Sequence, residues 1–84
     1  MKILIVEDEI ELLESIVLYL KGEGYLCEYA LTYDSATDKI SLYEYDIIVV
    51  DLNLPDGNGI QIIKKLKESE FKGGIIITSA ARKR

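Results

Sequence analysis

The sequence predicts an α/β fold, a doubly wound parallel sheet, on three observations. Short runs of β-branched apolar residues recur along the chain, helical periodicities stand between them, and two of the runs end in carboxylates. Strand, helix, strand, helix, strand, helix, strand is the resulting order. Right-handed crossovers then build one parallel sheet with helices on both faces. At 84 residues the chain allows a single small domain, residues 1–84, with a core modest enough that stability should be marginal.

Ile3-Leu4-Ile5-Val6 is a continuous β-branched run of the kind buried on both faces in a parallel sheet, and it stops at Glu7-Asp8-Glu9. Ile10, Leu13, Ile16, Val17 and Leu20 follow at helical spacing, with Gly22 and Gly24 as the stop. Tyr25 to Ala30 is a weaker second strand, and Ala36 to Leu42 a short helix for which Ser35 or Asp34 is the expected cap. Asp46-Ile47-Ile48-Val49-Val50-Asp51 repeats the opening theme and delivers Asp51 onto Leu52 to Gly59, a stretch dense in turn residues. Ile60, Ile63, Leu66 and Lys67 read as a third, amphipathic helix. Gly73-Gly74 is its expected exit before a fourth strand, Ile75 to Thr78.

Hydrophobic residues make up 49% and charged residues 30%, a globular balance rather than that of a disordered tail. The net charge of -5 disfavours direct attraction to a nucleic-acid backbone, so any DNA binding must come from elsewhere. Cys27 stands alone and cannot form an internal disulfide. The apolar start is too short for a signal-peptide core, and a cytoplasmic location is the expectation. No run approaches the roughly twenty apolar residues of a membrane-spanning helix.

In open α/β sheets, ligands bind beyond the carboxyl ends of the strands, where strand order reverses. Those ends carry Glu7, Asp8, Asp51 and Ser79. In a 2-1-3-4 order the first and third strands are neighbours, so three carboxylates converge on one edge. Their mutual repulsion needs relief, and Mg²⁺, which takes one or two carboxylates, waters and a phosphate oxygen, suits the set. An adjacent Asp can then attack phosphorus and become an acyl phosphate. The plainer reading is that acidic residues after strands cap the following helices, which would fit Asp8 taken alone. Two apolar strands that each end in Asp, with a third carboxylate adjacent, favour a functional site.

Ile3-Leu4-Ile5-Val6-Glu7-Asp8-Glu9 resembles the acidic-pair motif of response-regulator receivers, and the segment from Asp46 through Asp51-Leu52-Asn53-Leu54-Pro55-Asp56-Gly57-Asn58-Gly59 is similar to their phosphoacceptor loop. The resemblance covers the whole chain. It is strongest to receivers of the subclass that carries a winged-helix DNA-binding output domain. It implies the flavodoxin-like receiver fold, phosphorylation of Asp51, direct Mg²⁺ binding by Asp8, a largely water-mediated contribution from Glu7, and a backbone carbonyl ligand at Asn53. Ser79, followed by the small Ala80, matches the family's switch hydroxyl, with Thr78 as rival and an ordinary strand residue as the simpler role for Thr78. The implied partner is a sensor histidine kinase, with DNA reached only through an output domain outside this chain. No membrane partner is expected, since no apolar run is long enough to span a bilayer.

The family also places a Lys followed by Pro at the end of a fifth strand. The only Pro here is Pro55, and the chain ends first. Lys64, Lys65 and Lys67 belong to the third helix as its solvated face and do not replace that Lys. The chain is therefore expected to be an incomplete receiver without the fifth strand and last two helices. Its exposed fourth strand would then lead to a homodimer or a domain-swapped association. Cys27 is expected to be a small buried hydrophobe and the tyrosines packing or surface residues.

Three other functions compete. A phosphatase with an Asp nucleophile would need a second acid two positions on, where Asn53 cannot donate and accept a proton as a carboxyl does, so no enzyme turnover is expected. A flavin-phosphate binder needs a loop of hydroxyls and glycines after the first strand, where Glu7-Asp8-Glu9 would repel phosphate. A receiver-like interaction module that is never phosphorylated is the third.

Overall fold

A computed structural model of the chain describes residues 1–78. In chain order the elements are β1 (Lys2–Val6), α1 (Ile10–Gly22), β2 (Leu26–Ala30), α2 (Tyr33–Leu42), β3 (Ile47–Asp51), β4 (Asn53–Leu54), β5 (Gly57–Asn58), α3 (Gly59–Glu68) and β6 (Gly74–Thr78). The main sheet runs β2-β1-β3-β6 and all three pairings are parallel. With β6 as the fourth long strand, this is the 2-1-3-4 order expected from the sequence.

The unbroken apolar runs of β1 and β3 follow from burial on both faces. Leu4, Val6, Ile48 and Val50 point to one side, where Ala36 of α2 and Ile62 and Leu66 of α3 cover them. Ile3, Ile5 and Val49 point to the other side, where Leu13 of α1 is buried against them and Ile16, Val17 and Leu20 pack around it. Central strands so covered hold the third-strand terminus rigidly, with Asp51 at the carboxyl end of β3.

Several local details differ from the sequence expectation. Helix α2 starts three residues earlier than Ala36, and its N-cap is Thr32, whose Oγ1 accepts the Ser35 N–H at 3.1 Å, in place of Ser35 or Asp34. In α3 the buried stripe is Gly59, Ile62 and Leu66, while Ile60 is 48% exposed, because the first turn packs on β3 through Gly59. That helix does not wait for Gly73-Gly74. It ends at Glu68, with Glu70 at φ 61° and the Phe71 N–H donating back to the Leu66 carbonyl at 2.9 Å. Helix α1 closes in the same way with Gly24 at φ 93° and the Tyr25 N–H on the Leu20 carbonyl, so one geometry is served once by glycine and once by glutamate. Cys27 is half-buried, packed at the margin of the α1-side core, and this burial raises its thiol pKa.

The stretch after Asp51, expected as a loop dense in turn residues, folds into a small antiparallel ribbon. Asn53 pairs with Asn58 and Leu54 with Gly57, leaving Pro55 and Asp56 as the turn. Pro55 suits a turn because its ring fixes φ.

Candidate functional site

The carboxyl ends of β1 and β3 bring the acidic residues together. Glu7 continues the strand path of β1, its N–H donating to the Ala30 carbonyl of β2 at 3.0 Å, and it is 1% exposed. One of its carboxylate oxygens accepts the Glu9 N–H at 3.0 Å. Asp51 is equally buried at 1%, and its Oδ1 accepts the Asn53 N–H at 3.1 Å. Asp8 lies exposed beside them. One oxygen from each of Glu7, Asp8 and Asp51 can be chosen so that all three lie within 4.8 Å of one another.

Asp8 is not spent on helix capping. The N-cap position of α1 belongs to Glu9, which makes no side-chain cap hydrogen bond. The plainer reading of Asp8 therefore loses its geometric basis, and Asp8 faces the other two acids.

Two buried carboxylates and an exposed third at such spacing suffer strong like-charge repulsion and desolvation. A hard divalent cation with oxygen ligands would offset both, and an all-oxygen donor set with one solvent-facing member suits an ion that keeps several waters. The residues present thus fit Mg²⁺.

The remaining sequence candidates are placed as follows. Asn53 is the first residue of β4, exposed, and tied to Asp51 through its N–H. Thr78 lies opposite Asp51 in the β3–β6 register, and its hydroxyl donates to the Val50 carbonyl at 3.4 Å. Ser79 and Ala80 lie outside the described residues. Lys64 and Lys65 lie with Lys67 on the outer face of α3.

Two further residues shape this end of the molecule. Gly59 opens α3 against the last turn of chain around Asp51: a Cβ there would collide with the Asp51 carbonyl oxygen and come 2.8 Å from Leu52 Cα and 2.9 Å from Val50 Cγ1. The second is Asp56, in the turn of the ribbon, whose two oxygens accept the backbone N–H groups of Tyr33 at 2.6 Å and Asp34 at 3.1 Å. The Asp56 contact depends on partners more than twenty residues away, and the Gly59 contact on the path by which the chain folds back over Asp51, so no local pattern announces either.

Comparison with known proteins agrees with this geometry. The family model described as "Response regulator receiver domain" matches residues 3–84. The transcriptional regulatory protein BasR of Escherichia coli is 34% identical over 80 residues, covering 95% of this chain and 36% of that protein. The cell cycle response regulator CtrA of Brucella ovis is 38% identical over 79 residues, covering 94% of this chain and 34% of that protein. The chain thus spans about a third of the length of these relatives. Among solved structures, the Francisella response regulator 1452 receiver domain superposes with a TM-score of 0.89 at 27% identity, covering 98% of this chain and 68% of that one. The response regulator TrrA from Thermotoga maritima, in complex with Mg²⁺-BeF, superposes with a TM-score of 0.88 at 26% identity, covering 94% of this chain and 69% of that one. No helix among the described residues is long and apolar enough to cross a membrane. With its strand order, its acidic cluster and a family match over nearly its whole length, the chain belongs to the response-regulator receiver domain family.

Proposed function

We propose that the chain is the phosphoacceptor switch of a two-component system, with Asp51 taking a phosphoryl group in a Mg²⁺-dependent reaction. The observation that carries this is the convergence of Glu7, Asp8 and Asp51 within 4.8 Å, with Asp51 buried at the end of a central strand. Asp8, Asp51 and the Asn53 carbonyl are the proposed direct ligands, and Glu7 acts largely through water. When bound, the ion supplies positive charge that neutralises the phosphoryl oxygens and the carboxylates.

The chain's own part is to supply the nucleophile and hold it in place. An Asp51 carboxylate oxygen attacks phosphorus of a phosphohistidine on a sensor kinase. A P–O bond forms as the P–N bond breaks, and the imidazole leaves with a proton from solvent. The Asn53 N–H, donating to Asp51 Oδ1, holds the nucleophile in one rotamer. Ser79 is the proposed sensor of the product, biasing a two-state surface toward an output domain. The names of the relatives, transcriptional and cell cycle regulators about three times longer than this chain, favour a DNA-binding output. Nothing in this cycle releases a turned-over product, which separates it from an Asp-nucleophile phosphatase.

Acetyl phosphate with Mg²⁺ tests the reading. Intact-mass spectrometry should show one phosphoryl group added, and Asp51→Asn should abolish it. Calorimetry should show weak Mg²⁺ binding that Asp8→Ala removes. Unchanged Mg²⁺ affinity in Asp8→Ala, or normal labelling of Asp51→Asn, would overturn the assignment.

A further inference from the structure

Helix α2 carries an unusual first turn. Its first three N–H groups, orphaned in any helix, are all satisfied from outside the helix. Thr32 Oγ1 takes that of Ser35 at 3.1 Å. Asp56, more than twenty residues further along, takes those of Tyr33 and Asp34 at 2.6 and 3.1 Å. A carboxylate at the positive end of a helix, accepting two N–H groups in a fork, is a charge-assisted contact of the stronger kind.

Asp56 is also one of two residues in the turn of the β4–β5 ribbon, and the ribbon leads straight to the acidic cluster. Asn53 pairs with Asn58 across it, and the Asn53 N–H donates to Asp51 Oδ1. Gly57, next to Asp56, is pressed against Tyr33: a Cβ there would lie 2.6 Å from the ring carbon that joins the Tyr33 side chain. The ribbon tip is thus held to α2 by a hydrogen-bonded fork and a ring contact, and its base carries the backbone that touches Asp51. The Asp56 carboxyl lies below the usual carboxylate range, chiefly because of the Tyr33 N–H, as expected for an anion held by donors.

We propose that Asp56 is a positioning residue for the phosphorylation pocket: by clamping the ribbon tip to the start of α2, it fixes the Asn53 backbone against Asp51. This role rests on the reading of Asp51 as phosphoacceptor. Asp56 touches neither the nucleophile nor the proposed metal. It acts through the ribbon, and so it links α2 to the site.

A comparison of two caps of the same helix tests this. Thr32→Ala removes one cap bond without touching the ribbon, whereas Asp56→Ala removes two and frees the ribbon tip. Asp56→Asn keeps the shape but leaves a single accepting oxygen. Mg²⁺ affinity is measured for the chain and each variant by calorimetry, with folding stability by denaturant melt and hydrogen exchange of the Asn53 amide by NMR. Thr32→Ala should lose stability yet bind Mg²⁺ within about twofold of the unsubstituted chain. Asp56→Ala should bind about three- to tenfold more weakly and lose protection of the Asn53 amide, the scale set by one or two charge-assisted bonds acting through a lever. Asp56→Asn should fall between, and decides the matter if Asp56→Ala fails to fold. Equal Mg²⁺ affinities across a set that does bind the ion would overturn the positioning role alone. No Mg²⁺ binding by the unsubstituted chain would remove the functional reading and this role with it.

Discussion

Replacing Gly59 by alanine should destabilise the protein, although alanine is the better helix former. The added Cβ would collide with the Asp51 carbonyl oxygen and crowd Leu52 Cα and Val50 Cγ1 at 2.8 and 2.9 Å. Two of these three neighbours are backbone atoms, which cannot swing aside. Overpacking of this kind costs about 1–3 kcal/mol, and the helix propensity of alanine returns at most about 1 kcal/mol, so a net loss of about 0–3 kcal/mol, centred on roughly 1.5, is expected. For 84 residues at roughly 0.05–0.15 kcal/mol each, total stability is about 4–13 kcal/mol, so the loss is a large fraction. It corresponds to a fall in Tm of about 4–8 °C per kcal/mol. Gly22 supplies the control. It closes α1 in open space, where an added methyl would meet nothing within 4 Å, and Gly22→Ala should gain about 0.5–1 kcal/mol. Urea melts of both variants read the signs directly. Gly59→Ala as stable as the unsubstituted chain would refute the close-approach argument, and opposite signs for the two substitutions would support it.

Three more predictions bear on other parts of the chain. Tyr45 donates to Glu28 at 2.5 Å, and burial followed by that bond raises its phenol pKa, so the folded state holds the proton more tightly than an unfolded tyrosine near 10.0. The resulting stability is complete below that value and lost as pH rises above it. Tyr45→Phe should cost about 1 kcal/mol at neutral pH, a modest figure because the Glu28 side chain is 35% exposed, and should flatten the alkaline limb of a stability-pH curve; an unchanged limb would sink the idea. Glu70 adopts a left-handed backbone at φ 61°, at a cost of about 1–2 kcal/mol, part of which Glu70→Gly should recover after the extra entropy of an unfolded glycine; a lower Tm would contradict this. Strand β6 is paired only with β3 among the described residues, and Ile76 and Ile77 are each about half exposed, so the chain should associate as concentration rises; a monomer throughout a sedimentation series would argue against it.

The strands were the most legible elements because their signal is local. Ile3 to Val6 and Ile47 to Val50 alternate between two covered faces, so every position is apolar, and each run stops at a buried carboxylate, Glu7 or Asp51. Helix α1 was legible for a similar reason, with Gly24 at the left-handed position that ends it. Helix α2 starts earlier than its apolar spacing indicates because, beside the local Thr32 cap, two of the three donors in its first turn are met from a distance. The donors that Tyr33 and Asp34 expose are met by Asp56 from another part of the chain. The end of α3 misled for the converse reason: Glu70 occupies a backbone region that sequence reasoning reserves for glycine, because the bonds from Glu70 and Phe71 back into the helix offset the strain.

At the site, the carboxylates were legible and their supports were not, and the difference is physical. A carboxylate directly after an apolar strand is conspicuous, because burial of an unpaired charge is costly and a sequence keeps such a residue there only with some means of balancing it. Glu7 and Asp51 carry that signal, the exposed Asp8 stands next to Glu7, and strand adjacency does the rest. The residues that hold them in place carry none. Gly59 looks like an ordinary turn glycine until the Asp51 carbonyl is seen beneath it, and Asp56 like a solvated turn acid until α2 is seen above it. Support of this kind is exerted through shape and through backbone N–H groups, which every sequence possesses. It becomes visible only when the chain is folded and each donor can be traced to its acceptor.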